Sequence, residues 1–133
     1  KIFAEALKNL DIKFAWIVNS EDGLDEISPY AKTNVVQLKN GKISEFTVDP
    51  NKLNVGANKF EDLLGDDAVF NANKIVDIFK GEDNDFSKAV CLNTAAALIV
   101  MENNSSFSNA YEDARKKILS GKTYENLKRI QNV

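Results

Sequence analysis

A chain of 133 residues, 44% apolar and 28% charged, fits one globular domain and can bury a core. A net charge of −3 and a pI near 5.0, with Lys and Arg spread along the chain, exclude a basic nucleic-acid footprint. With no histidine the chain cannot by itself build a Ser–His–Asp triad, a His-bearing zinc site or a histidine general base, and its single cysteine, Cys91, excludes an internal disulfide. A lone cysteine and the lack of an apolar run of roughly 18 to 20 residues lead to the expectation of a cytoplasmic protein. The chain opens at Lys1 directly on an amphipathic pattern with no cap, so a piece of a longer protein is expected.

Ile2, Phe3, Ala6, Leu7 and Leu10 recur at helical spacing and predict an amphipathic helix over residues 2 to 10. Residues 13 to 18, KFAWIV, form a short continuous apolar run. That is the pattern of a strand buried on both faces, usually one in a parallel sheet with helices on either side. The polar stretch 19 to 32 follows, with Gly23 and Pro29 as breakers. Two β-rich runs, 33 to 38 and 42 to 48, are joined by KNGK, and Asn40-Gly41 between them is a strong hairpin signal. Asp49-Pro50 closes the hairpin, and a loop is predicted to about residue 65. The remainder reads as helical. Residues 67 to 80 carry Val69, Ala72, Ile75, Val76 and Phe79 on one face, with Gly81 as stop signal. Residues 86 to 101 are apolar nearly all round and are expected to form a central, buried helix. Residues 107 to 119 and 122 to 131 complete the set, separated by Ser120-Gly121. The class is α/β, but one buried strand cannot make a doubly wound sheet, and the missing partner strands again point to part of a larger domain.

The stretch EDGLDEIS, residues 21 to 28, places two adjacent carboxylates, Asp25 and Glu26, beyond the carboxyl end of the apolar strand. A solvated turn tolerates such a pair. A ligand site accounts for it as well, because open α/β sheets bind ligands beyond their strand ends. Carboxylate oxygens suit Mg2+, which takes one or two of them and leaves its other positions to water and phosphate. Neighbouring side chains on a regular strand point to opposite faces, so convergence on one ion requires irregular backbone, which Gly23 and Pro29 favour. The glycines are isolated and encode no phosphate cradle. In LLGDD, residues 63 to 67, Asp66 or Asp67 is expected as a helix N-cap. Cys91, without a neighbouring base or cation, and Trp16 are expected in the core. Asn93 interrupts the apolar helix and is expected to hydrogen-bond backbone in a neighbouring loop.

In chain order, WIVNSEDGLDEIS, QLKNGKISEF, DPNKL, DLLGDDAVFNA, FKGE, CLNTAAAL and LSGKTYENL resemble the C-terminal part of the anthranilate phosphoribosyltransferase family, from about Phe3 to Leu127. The resemblance implies the C-terminal portion of a nucleoside phosphorylase/phosphoribosyltransferase-type catalytic domain, with a buried strand and hairpin packed with helices. Residues 1 to 133 are then a single domain fragment, and the family's N-terminal helical domain and glycine-rich diphosphate loop lie outside it. It further implies a cytoplasmic, homodimeric enzyme of tryptophan biosynthesis that joins anthranilate to phosphoribosyl pyrophosphate, releases pyrophosphate and uses Mg2+, with no nucleic-acid or membrane partner. By the same resemblance Asp25 and Glu26 match the acidic pair that binds Mg2+, the glutamate able to contact both ions, and no catalytic or other cofactor-binding residue carries over. Asn19-Ser20 stands where the family usually has His-Gly. Two other readings stay open. One is a non-enzymatic nucleic-acid-binding homologue of the same fold, against which the acidic balance and the Asp25-Glu26 pair count. The other is a nucleoside phosphorylase, whose acidic pair and NTAAAL-like segment match less well.

Overall fold

The computed structural model describes residues 1–55, 60–102 and 106–132. Their elements run α1 (Ile2–Asn9), β1 (Phe14–Ser20), β2 (Thr33–Lys39), β3 (Lys42–Val48), α2 (Ala68–Lys80), α3 (Asp85–Val100), α4 (Phe107–Leu119) and α5 (Lys122–Gln131). The predicted loop after the hairpin holds two 3₁₀ turns, Pro50–Leu53 and Phe60–Leu63, and its residues 56–59 lie outside the described residues.

The three strands form one antiparallel sheet in the order β1-β2-β3. Asn40 and Gly41 have φ of 49° and 77°, the paired positive values of a type I′ turn, whose twist matches that of the strands it joins. The resulting register sets Val35 opposite Val18 on one side and Phe46 on the other. Period-two alternation then sorts the side chains. The rows Trp16–Gln37–Ser44, Val18–Val35–Phe46 and Ser20–Thr33–Val48 share the face that meets the helical core, while Ala15–Leu38–Ile43 and Ile17–Val36–Glu45 share the face toward α1. Trp16 Nε1 donates to Gln37 Oε1 at 2.9 Å, and the indole stacks on Phe107 of α4 with centroids 5.9 Å apart. Val35 and Val48 join Ile27, Ile78, Cys91, Leu92, Ala95, Ala110, Tyr111, Ala114 and Ile118 in one cluster. Complete burial of a side chain such as Leu92 contributes roughly 1.5–3 kcal/mol.

The helix ends follow local rules. Asp67 Oδ1 accepts the Phe70 N–H at 2.8 Å, and Asn84 and Ser87 form a reciprocal capping box at the start of α3. Gly81 ends α2 at φ 107°, where an added Cβ would sit 3.1 Å from the Leu119 carbonyl oxygen.

Three expectations are corrected. The run FAWIV does not form a parallel strand: every strand pair among the described residues is antiparallel, and β1 is a half-buried edge. A continuous apolar stretch registers cover above and below the strand, here α3 and α4 on one side and α1 on the other. It carries no information on the direction of the neighbouring strand. Helix α1 does not bury its predicted apolar stripe. Ala4 is fully buried and Leu7 half-buried, whereas Ile2, Phe3 and Leu10 are 86%, 74% and 72% exposed. Helix α3 packs along α4 and against β1, but it buries only one side, Ser87, Cys91, Leu92 and Ala95, and leaves Val90, Thr94 and Ala97 exposed. Among the described residues no helix is long and apolar enough to cross a membrane.

Candidate functional site

Beyond β1 the chain returns to β2 through residues 21–32, which have no regular secondary structure. The turn closes on itself first. Ser20 N–H donates to the Leu24 carbonyl at 3.0 Å, Gly23 N–H to the Ser20 carbonyl at 3.1 Å and Glu21 N–H to the Lys32 carbonyl at 2.9 Å. Asp22 braces the loop from inside, accepting the Ser28 hydroxyl at 2.5 Å and the Leu24 N–H at 3.3 Å. Partial burial pushes the Asp22 carboxyl up, but hydrogen bonds, those from Ser28 and Leu24 among them, outweigh that and hold it below the usual carboxylate range.

Ser28 is the hub. It is fully buried, its Oγ also accepts the Tyr30 and Ala31 N–H groups at 3.0 and 3.2 Å, and its own N–H donates to Thr33 Oγ1 at 3.1 Å. A serine hydroxyl has one donor and two acceptor lone pairs, and all three are used. Two residues of α3 tie the loop down through three further bonds. Asn93 Oδ1 accepts the Ile27 N–H at 2.9 Å while its Nδ2 donates to the Ile27 carbonyl at 3.1 Å, and Tyr30 Oη donates to Asp85 at 3.2 Å. Asp85 in turn pairs with Lys88 at 2.8 Å.

Asp25 and Glu26 sit at the exposed crest of this braced loop, between Leu24 and Ile27. Neither makes a hydrogen bond or ion pair with a described residue. The backbone at both residues is bent, so the strict alternation of a regular strand does not apply to them. Two hard oxygen donors without an ion-pair partner among the described residues fit Mg2+ as part of its shell. Among the described residues no group of three or more His, Cys, Asp or Glu side chains is placed to hold a metal, so water and substrate oxygens would have to complete that shell.

The other residues singled out along the chain have structural places. Cys91 is buried, and burial pushes its thiol up to about 11, which keeps it protonated and unreactive near neutral pH. Trp16 packs against the core, Asp67 caps α2, and Asn93 meets loop backbone. Asn19 is exposed, while Ser20 is buried with its hydroxyl donating to the Lys32 carbonyl at 3.3 Å, so a serine at this position adds to the bracing of the loop. Sequence reasoning missed Asp22, Ser28, Thr33 and the Tyr30–Asp85 tether. A signal was present: Asp and Ser beside Gly23 and Pro29 are the residue types that bond their own backbone in turns.

Residues 1–124 match the model of the glycosyl transferase family, a/b domain, and the chain belongs to that family. Within it, similar proteins include anthranilate phosphoribosyltransferases. The one from Pelagibacter ubique (strain HTCC1062) is 78% identical over 133 residues, which is 100% of this chain and 40% of the relative. The crystal structure of the Thermus thermophilus enzyme shares the fold at a TM-score of 0.84 and 28% identity, over 95% of this chain and 37% of that one. The Saccharomyces cerevisiae enzyme in complex with PRPP and Mg shares it at a TM-score of 0.74 and 22% identity, over 85% of this chain and 33% of that one. The chain thus spans about two fifths of the length of the curated relatives it matches, 40% and 38% for two of them. The family and the α/β class expected from the motifs both hold.

Proposed function

We propose that this chain is part of an anthranilate phosphoribosyltransferase, which transfers the phosphoribosyl group of phosphoribosyl pyrophosphate to anthranilate and releases pyrophosphate. The observation that carries this reading is 78% identity along the whole chain to one such enzyme. Asp25 and Glu26 are proposed as the carboxylates through which this segment holds Mg2+. Their exposure, their lack of partners and the braced loop beneath them support that role, as does the yeast relative described with PRPP and Mg.

Bound there, Mg2+ would neutralise charge on the departing pyrophosphate. The chain's own contribution is geometric. It presents two adjacent carboxylates beyond the end of β1, outside the hydrophobic core, with no lysine or arginine among the described residues paired to them. On this reading the intact enzyme is a cytoplasmic homodimer of tryptophan biosynthesis. The isolated 133-residue chain is expected to lack transferase activity, because it encodes no phosphate cradle.

The test is Asp25→Asn and Glu26→Gln in the intact enzyme. Each is expected to raise the Mg2+ concentration for half-maximal rate by about 10- to 100-fold, the scale seen when the surroundings of a metal are disturbed. Turnover falls with it. Melting temperature should move by only a few degrees, because removing one of two unpaired like charges costs the fold little. Marked unfolding of both variants, or an unchanged Mg2+ requirement, would sink the metal assignment.

A further inference from the structure

We propose that Asn93 is a positioning residue for the Asp25-Glu26 pair: its carboxamide clamps the Ile27 backbone and thereby fixes how Glu26 is presented. The inference rests on the metal role proposed above for that pair.

The clamp is bidentate on a single residue. Asn93 Oδ1 accepts the Ile27 N–H at 2.9 Å and Nδ2 donates to the Ile27 carbonyl at 3.1 Å, so the side chain acts toward Ile27 as a neighbouring strand would. The second Nδ2 hydrogen goes to the Ala89 carbonyl one turn earlier in α3, at 3.0 Å, which holds the side chain in its own helix groove. The amide orientation follows from this pattern, since the reversed group would set an oxygen against two carbonyl oxygens.

Planarity of the peptide carries the constraint to Glu26. The Ile27 N–H lies in one rigid plane with the Glu26 Cα and carbonyl, so holding that N–H in direction holds the Glu26 backbone on its C-terminal side. The Ile27 side chain, 1% exposed, is locked in the core, so the residue next to the acidic pair is gripped from two directions. The grip comes from a rigid element: α3 starts with the Asn84–Ser87 capping box and buries Cys91, Leu92 and Ala95. Asparagine is a weak helix former, and an apolar residue would serve helix propensity better at this position. The other tether to α3, Tyr30 to Asp85, meets the loop three residues further from Glu26 and leaves Asn93 as the contact beside the pair.

The experiment compares Asn93→Ala with Ile78→Ala in the intact enzyme. Ile78 is buried in α2, which lends no hydrogen bond to residues 21–32, so its truncation lowers stability without touching the clamp. Both variants should melt earlier. Only Asn93→Ala should weaken binding of Mn2+, read by electron paramagnetic resonance with phosphoribosyl pyrophosphate present, by about tenfold or more. It alone should also speed hydrogen exchange of the Ile27 amide. If Asn93→Ala does not fold, Asn93→Ser carries the same expectation, because a hydroxyl bonded back to the Ala89 carbonyl leaves Ile27 unheld. Wild-type Mn2+ affinity in the Asn93 variants, or an equal loss in Ile78→Ala, overturns the proposal. If Asp25→Asn and Glu26→Gln weaken Mn2+ binding while the Asn93 variants do not, the clamp alone is rejected; if none of them does, the metal reading falls and takes the clamp with it.

Discussion

Helix α1 and the loop at residues 21–32 invert the usual relation between regularity and restraint. The loop has no regular backbone, yet side chains from its own turn, from β2 and from α3 bond its peptide groups. Helix α1 is regular throughout its 8 residues, but it has no side-chain cap at Lys1 and exposes Ile2, Phe3 and Leu10. Its ties to the sheet are buried Ala4, half-buried Leu7 and one exposed ion pair, Lys1–Glu45 at 2.7 Å. A helix this short is marginal alone and depends on tertiary cover. The difference teaches that a site is preorganised by buried side chains satisfying backbone groups, and that helical or strand geometry is not required for it.

The strongest way to break that comparison is Ser28→Ala. The change leaves the Asp22 carboxylate and the Tyr30 and Ala31 N–H groups without their hydroxyl partner. An expected loss of roughly 2–4 kcal/mol in chemical denaturation follows from orphaning these groups. A loss below about 1 kcal/mol would show that the loop is braced elsewhere.

A smaller effect is expected from acid. The Asp22 carboxyl is held below its usual range in the folded chain, so its contribution is fully present above the unfolded carboxylate value of about 4. It is lost as pH falls through the lower, folded value. Asp22→Asn should therefore be less stable than the parent at pH 6, with the gap narrowing below about pH 4. Denaturation midpoints measured at descending pH check this, and parallel curves would contradict it.

The smallest effect belongs to α1. Phe3→Ser is expected to change the stability of the chain by no more than about 0.5 kcal/mol, as for exposed positions generally. It should also reduce self-association seen by light scattering, because it breaks up an exposed apolar patch. A destabilisation comparable to that of Ser28→Ala would show that α1 is as firmly built in as the loop.

Much of this molecule is legible along the chain because the governing interactions are local. Asn40-Gly41 sets the hairpin, Asp67 and Gly81 bound α2, and Ser120-Gly121 separates α4 from α5, each through contacts within a few residues. The position of Asp25-Glu26 past an apolar strand marks it as a candidate site for the same reason. That the Asn93 amide needs backbone partners could be seen, since the need follows from the residue type and its apolar neighbours in sequence. Its partner could not be seen: Ile27 lies 66 positions away, and only the packing of α3 beside the sheet brings them together. The direction of the strand beside β1 and the outward turn of Ile2 and Phe3 were also decided at that level. Hydrophobic periodicity records that a side chain can be covered, whereas which surface covers it depends on how distant elements assemble.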